Sequence, residues 1–218
     1  MINKELQKRI LSSLILIPIA LFFIIKGSFL FNFFILICFF VTSYEWHKMT
    51  IKKPYYLPGL LFLIISFYSA YKIRADIVGD YEYFIIILLI CVSTDIGGYI
   101  FGKTFKGPKL TKISPKKTYS GVIGGYLFSI IILNLYFASN LFSNPQELNS
   151  DVFIFILLIS TISQIGDIII SFFKRLSKIK DTGIIIPGHG GLLDRVDGMI
   201  FAFPFSYLIF KINIFQYF

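Results

Sequence analysis

The sequence predicts an all-α, polytopic integral membrane protein of about seven transmembrane helices, with its functional residues at the cytoplasmic helix ends. Three observations carry this expectation. First, 56% of the 218 residues are hydrophobic and 18% aromatic, and the mean hydropathy is +0.78, beyond the range of soluble domains. Second, the apolar residues gather into membrane-length runs at 10–25, 28–44, 56–71, 83–101, 119–139, 152–172 and 198–215. Third, the cations are one-sided. With the N-terminus inside, alternate connections hold 17 of the 21 Lys and Arg residues, leaving Lys26, Lys72, Arg74 and Lys211 for the other side. That bias sets orientation and predicts an odd number of spans, with Lys112 and Lys178 cytoplasmic and Phe218 opposite.

The run at 10–25 reads as a retained anchor, because it leads into further apolar sequence without a small-residue cleavage site. The first two runs are short enough to pair as a hairpin. The second ends in Tyr44, Glu45, Trp46 and His47, which read as the anchors of an interfacial belt, with a place in the site as the lesser alternative. The connections expected outside, 72–82 and 140–151, carry little chemistry. Cys38 and Cys91 sit within apolar runs without metal-ligand spacing and read as inert thiols. The net charge of +9 would suit nucleic acid, but its place beside apolar spans points to anionic headgroups; no nucleic-acid partner is expected. A single domain covers 1–218, with plain spans over about 1–94 and the chemistry within 95–200.

Two inner segments hold that chemistry. The fourth run ends in D-I-G-G-Y-I-F-G-K from Asp95 to Lys103, where Asp95 shares a helix face with Gly98, Tyr99 and Gly102. The following S-P-K-K-T turn presents Ser114, Lys116, Lys117 and Thr118 to the headgroups; positive-inside charge is the plainer reading of the two lysines. Gly121 and Gly125 form a G-x-x-x-G, a helix-packing pattern. In the sixth run Gln164, Asp167, Ser171, Lys174 and Arg175 recur at helical spacing and make one polar face. An acid within a span, such as Asp167, needs a partner, a cavity or an ion.

From Ser171 to Asp197 the chain places Lys174, Arg175, Lys178, Lys180 and Arg195 beside Asp181, Asp194 and Asp197 and a Gly-rich turn at Gly188, Gly190 and Gly191. Cations neutralise phosphate, carboxylates hold a divalent ion, and glycines let backbone amides approach oxygens. Asp194 and Asp197, three apart, project from one side of a helix start. Capping that helix is the alternative role for either. With Asp167 they offer an oxygen-rich site suited to Mg²⁺. His189 lacks a second His or Cys for zinc, and either donates to a leaving phosphate or braces the turn. Asp181 serves as a further metal contact or an intraloop ion pair.

At every defined position this 27-residue stretch, S-F-F-K-R-L-S-K-I-K-D-T-G-I-I-I-P-G-H-G-G-L-L-D-R-V-D, resembles the signature of the phosphatidate cytidylyltransferases, the CDP-diacylglycerol synthases. Asp95 with Gly98 and Tyr99, Gly102–Lys103, Ser114–Pro115–Lys116–Lys117–Thr118 and Gln164 with Gly166–Asp167 also resemble that family. One departure is Tyr119–Ser120, where the family commonly has Trp-Glu. The resemblance implies transfer of a cytidylyl group from CTP to phosphatidate, with pyrophosphate released and CDP-diacylglycerol passed to phospholipid biosynthesis. It implies Mg²⁺, with room for a second, monovalent cation. Asp167 and Asp194 then hold the metal with support from Asp197. Lys174, Arg175 and Arg195 contact phosphates, Asp181 and His189 belong to the catalytic set, and Asp95, Ser114, Lys116, Lys117, Thr118, Ser171, Gly190 and Gly191 line the substrate pocket. Partners implied are CTP, phosphatidate and membrane lipids in a cell (inner) membrane, and a homodimer is compatible. A CTP-dependent lipid kinase and a multi-span transporter are the competing classes; the polar residues at helix ends, rather than at the midplane, disfavour a transporter.

Overall fold

Seven apolar runs become helices because a chain in lipid must satisfy its own backbone. The computed structural model describes residues 4–76, 81–111, 114–115, 117–139, 149–188 and 190–212, without the side chains of 4–10, 13 and 76. Lys112, Lys116, His189 and Phe218 therefore lie outside the described residues. The helices are α1 (Lys4–Lys26), α2 (Ser28–Thr50), α3 (Tyr56–Asp76), α4 (Glu82–Phe105), α5 (Tyr119–Ala138), α6 (Ser150–Leu176), the single turn α7 (Leu193–Val196) and α8 (Met199–Ile212). Five of them, α2 to α6, are long and apolar enough to cross a membrane; Leu14–Lys26 within α1 and all of α8 are shorter apolar helices. The protein is thus an all-α, multi-pass membrane protein.

Local chemistry sets several helix ends. Thr118 caps α5 by accepting the Gly121 amide at 3.1 Å, and Asn149 caps α6 through the Val152 amide at 2.8 Å. Pro204 inside α8 cannot bond the carbonyl of Ile200. The Ser66 hydroxyl of α3 supplies that donor at 2.6 Å, which also fastens α3 to α8.

Small residues let the site-bearing helices approach closely. A Cβ on Gly97 would stand 2.4 Å from the Gly124 carbonyl oxygen, and one on Gly121 would stand 2.8 Å from that of Gly98. The G-x-x-x-G segment therefore packs α5 on α4. Gly166 and Gly198 do the same for α6 and α8: their Cβ atoms would meet Phe201 at 2.6 Å and the Ser163 hydroxyl at 2.3 Å.

Chain direction alternates, so the first half of α1, the starts of α3, α5 and α8, and the ends of α2, α4 and α6 gather at one end. Ser12 donates to the Pro187 carbonyl at 3.1 Å, and Tyr55 meets Ser177 at 3.4 Å. At the other end Arg74 donates to the Ile24 carbonyl at 3.0 Å and Tyr83 packs on Phe210. The described parts of the long polar segments, 106–111, 114–115, 117–118, 177–188 and 190–192, belong to the first end. The expectation that α2 ends in an interfacial belt is corrected in part. Tyr44 is exposed, whereas Glu45 and Trp46 are 1% and 2% exposed. Trp46 is held by a hydrogen bond from its indole to the Tyr56 carbonyl, and Glu45 by contacts described below.

Candidate active site

The polar face of α6 forms one wall. Asp167 accepts the Ser171 hydroxyl at 3.3 Å with one oxygen and pairs with Lys117 at 2.5 Å through the other. Lys117 also donates to the Gln164 carbonyl at 3.2 Å. The lysine reaches this position because the turn beginning at Ser114, closed by a bond from the Lys117 amide to the Ser114 carbonyl, runs directly into the Thr118 cap. Asp95 on α4 is accessible yet surrounded by charge, within electrostatic reach of Asp167, Lys117 and Arg195.

The second wall is the Gly-rich loop and the start of α8. Ile186 and Gly190 exchange backbone hydrogen bonds across a tight turn, in which Gly188 and Gly190 take φ of 76° and 92°, values that L side chains resist. The loop then folds back on Asp194. One Asp194 oxygen accepts the Lys174 ammonium at 2.9 Å. The other accepts the Thr182 amide at 2.8 Å, the Thr182 hydroxyl at 3.1 Å and the Gly191 amide at 3.0 Å. Burial pushes the Asp194 carboxyl up, but the bond to Lys174, its charge and the two amides outweigh this and hold it below the usual carboxylate value.

Lys174 also faces Asp197 at 3.9 Å, and that aspartate accepts the Gly198 amide at 3.0 Å. Asp197 is 7% exposed. Burial and then the neighbouring Asp167 carboxylate push its carboxyl well up. The close approach at Gly166, whose Cβ would stand 3.0 Å from the Asp197 carbonyl oxygen, is what brings these two acids together.

Most expected residues therefore converge: Asp95, Lys117, Asp167, Ser171, Lys174, Gly190, Gly191, Asp194 and Asp197. Others do not enter the cluster through the contacts seen. Thr118 is engaged as a helix cap. Arg175 is exposed and donates to the Ile179 carbonyl at 3.3 Å. Asp181 is exposed beside Gly190. Among the described residues no three acidic, His or Cys side chains are grouped to hold one ion. Of the expected metal trio, Asp194 and Asp167 each meet protein donors at both oxygens, and Asp167 and Asp197 form a crowded carboxylate pair. Such a pair fits Mg²⁺, which takes few protein oxygens and keeps waters or substrate oxygens for the rest.

Thr182 escapes the sequence reading, and Glu45 reads there mainly as an interfacial anchor. Thr182 is buried beneath Asp194, and Glu45 of α2 reaches the same loop, accepting the amides of Leu192 at 2.9 Å and Leu193 at 2.7 Å and the Thr182 hydroxyl at 3.1 Å. An acid among the cations of the predicted inner face was the one available signal. On another face of α6 lies an apolar cavity of about 190 Å³, lined by Trp46, Tyr55, Phe62, Phe173, Ile200 and Phe201 among others. It offers no phosphate ligands, so the charged chemistry belongs to the Asp167 face.

Residues 55–213 match the model of the cytidylyltransferase family. The chain belongs to that family. It is 36% identical over 214 residues to a phosphatidate cytidylyltransferase of Rickettsia felis, covering 95% of this chain and 93% of the relative. It is also 36% identical to the enzyme of that name from Rickettsia prowazekii, with 98% and 94% covered. A Staphylococcus aureus protein of the same name is 38% identical over 68% of this chain and 55% of its own length. The family match takes in the whole charged cluster except Glu45, which precedes it.

Proposed function

We propose that this family member transfers the cytidylyl group of CTP to phosphatidate, forming CDP-diacylglycerol and pyrophosphate at the cytoplasmic face of the cell (inner) membrane. The observation that carries this reading is the convergence of Lys117, Lys174, Asp167, Asp194 and Asp197 at one end of a membrane bundle in a chain of the cytidylyltransferase family. Phosphate chemistry at that level meets both a soluble nucleotide and a lipid headgroup.

In the reaction a phosphate oxygen of phosphatidate bonds to the α-phosphorus of CTP, and the bond from that phosphorus to the oxygen bridging the β-phosphate breaks. Pyrophosphate leaves with the bonding electron pair. A phosphomonoester has a second pKa of about 6, so the attacking oxygen is ionised near neutrality and needs no strong base. Repulsion between two polyanions is the obstacle. Lys117, in the turn before α5, and Lys174 of α6 supply fixed positive charge, and the exposed Arg175 and Arg195 extend it outward toward headgroups and nucleotide. Asp167 and Asp197 would hold Mg²⁺, which when bound neutralises phosphate charge. Asp194 holds the loop in place beside Lys174 through its bonds to Thr182 and Gly191.

The test is pyrophosphate release by purified protein supplied with CTP and Mg²⁺, with and without phosphatidate. Release that requires phosphatidate supports the proposal. Release of CDP in place of pyrophosphate would identify a lipid kinase instead.

A further inference from the structure

Glu45 is a carboxylate buried to 1% exposure at the end of α2, outside the segment that marks the family. A buried carboxylate is costly unless its oxygens are met by donors. Here all three donors come from one distant segment, the loop that carries Asp194. The amides of Leu192 and Leu193 are the unsatisfied first donors of the α7 turn, and Glu45 takes both, one on each oxygen.

The third contact links Glu45 to the cluster. The Thr182 hydroxyl lies 3.1 Å from a Glu45 oxygen and 3.1 Å from an Asp194 oxygen. Its single proton serves one carboxylate at a time, and the Thr182 amide stays on Asp194 either way. Asp194 in turn holds Lys174, which faces Asp197. A continuous set of contacts therefore runs from α2 to the charged face of α6. The loop is built for this acid: a Cβ on Gly183 or on Gly191 would each stand 2.6 Å from a Glu45 oxygen.

We infer that Glu45 is a positioning residue for the transfer reaction, fixing the 182–194 loop so that Asp194 and Lys174 stand in register with Asp167 and Asp197. The inference rests on the proposed function for its kinetic reading. Groups that orient charged catalytic residues commonly matter about 10- to 100-fold without touching substrate.

Glu45→Gln is the discriminating variant. It keeps the volume but turns one acceptor into an NH₂ donor, which then faces another donor. The full-length protein in lipid nanodiscs should keep its thermal unfolding midpoint within a few degrees. Its kcat should fall about tenfold or more, while KM for CTP moves by less than about threefold. Hydrogen exchange of the Leu192 and Leu193 amides, measured without substrates, should accelerate at least about tenfold. A folded Glu45→Gln protein with kcat within twofold of wild type would overturn the inference, as would unchanged exchange at those amides. If Glu45→Gln does not fold, Glu45→Asp, which keeps the charge but draws the carboxylate back from the Leu192 and Leu193 amides, decides by the same readings. Should wild type fail to make CDP-lipid, the functional proposal falls, and the exchange measurement alone still decides whether Glu45 orders the loop.

Discussion

Lys174 and Asp194, on α6 and α7, form an ion pair 2.9 Å long with side chains 10% and 4% exposed. This bond fastens the Gly-rich loop to the helix that bears Asp167, so loop order and site charge depend on one contact. Lys174→Met leaves Asp194 buried without its cation, and the folded state should lose about 3–5 kcal/mol. Thermal unfolding in a fixed detergent should show a lower midpoint, with activity lost in parallel.

The same pair sets an acid limit. The Asp194 carboxyl is held below its ordinary value of 3.8, so its contribution to stability is complete above that value. It disappears as the pH falls through the lower folded value. Hydrogen exchange of residues 182–193 should accelerate only once the pH drops below about 4. Asp194→Asn, which has no charge to lose, should show a loose loop at every pH. A loop equally protected in both proteins at neutral pH would contradict the assignment.

Lys117 and Lys109 separate site charge from general surface charge. Lys117 pairs with Asp167, whereas Lys109 is exposed. Lys117→Ala should raise KM for CTP or phosphatidate, or lower kcat, by about tenfold or more. Lys109→Ala should stay within about twofold. Equal effects of the two would reduce the turn to positive-inside charge.

Much of this architecture is legible in the sequence, and the part that is not has a physical reason. Apolar run length reveals the helices, and cation placement groups their ends, because both are properties of one segment at a time. The acids and lysines of the 27-residue stretch announce themselves by type and spacing. Glu45 does not: beside Tyr44 and Trp46 at the end of a run it has the composition of a belt, and its partners lie 137 to 148 positions away. The engagement of Asp194 is equally hidden, since two of its donors are loop amides that any residue supplies. Ser66 bonding the carbonyl freed by Pro204 belongs to the same class.

Orientation is tested by single cysteines at positions 112, 178 and 145 in a variant lacking Cys38 and Cys91. Membrane-impermeant reagent applied to intact cells should label 145 alone, and inverted vesicles should expose 112 and 178. Labelling of 112 and 178 from opposite sides would refute the alternating arrangement.

The central claim is that this bundle moves a cytidylyl group onto lipid phosphate, and double labelling of CTP tests it most directly. Purified protein is incubated with Mg²⁺, phosphatidate and CTP labelled at the α-phosphate with one isotope and at the γ-phosphate with another, then partitioned into lipid and water. The account predicts the α-label in the lipid phase and the γ-label in aqueous pyrophosphate. With Asp167→Asn or Asp197→Asn the lipid label should fall about a hundredfold or more. The double variant should be little worse than either, as expected of residues that act as one unit. The γ-label in lipid, or neither label there with folded wild-type protein, would contradict it.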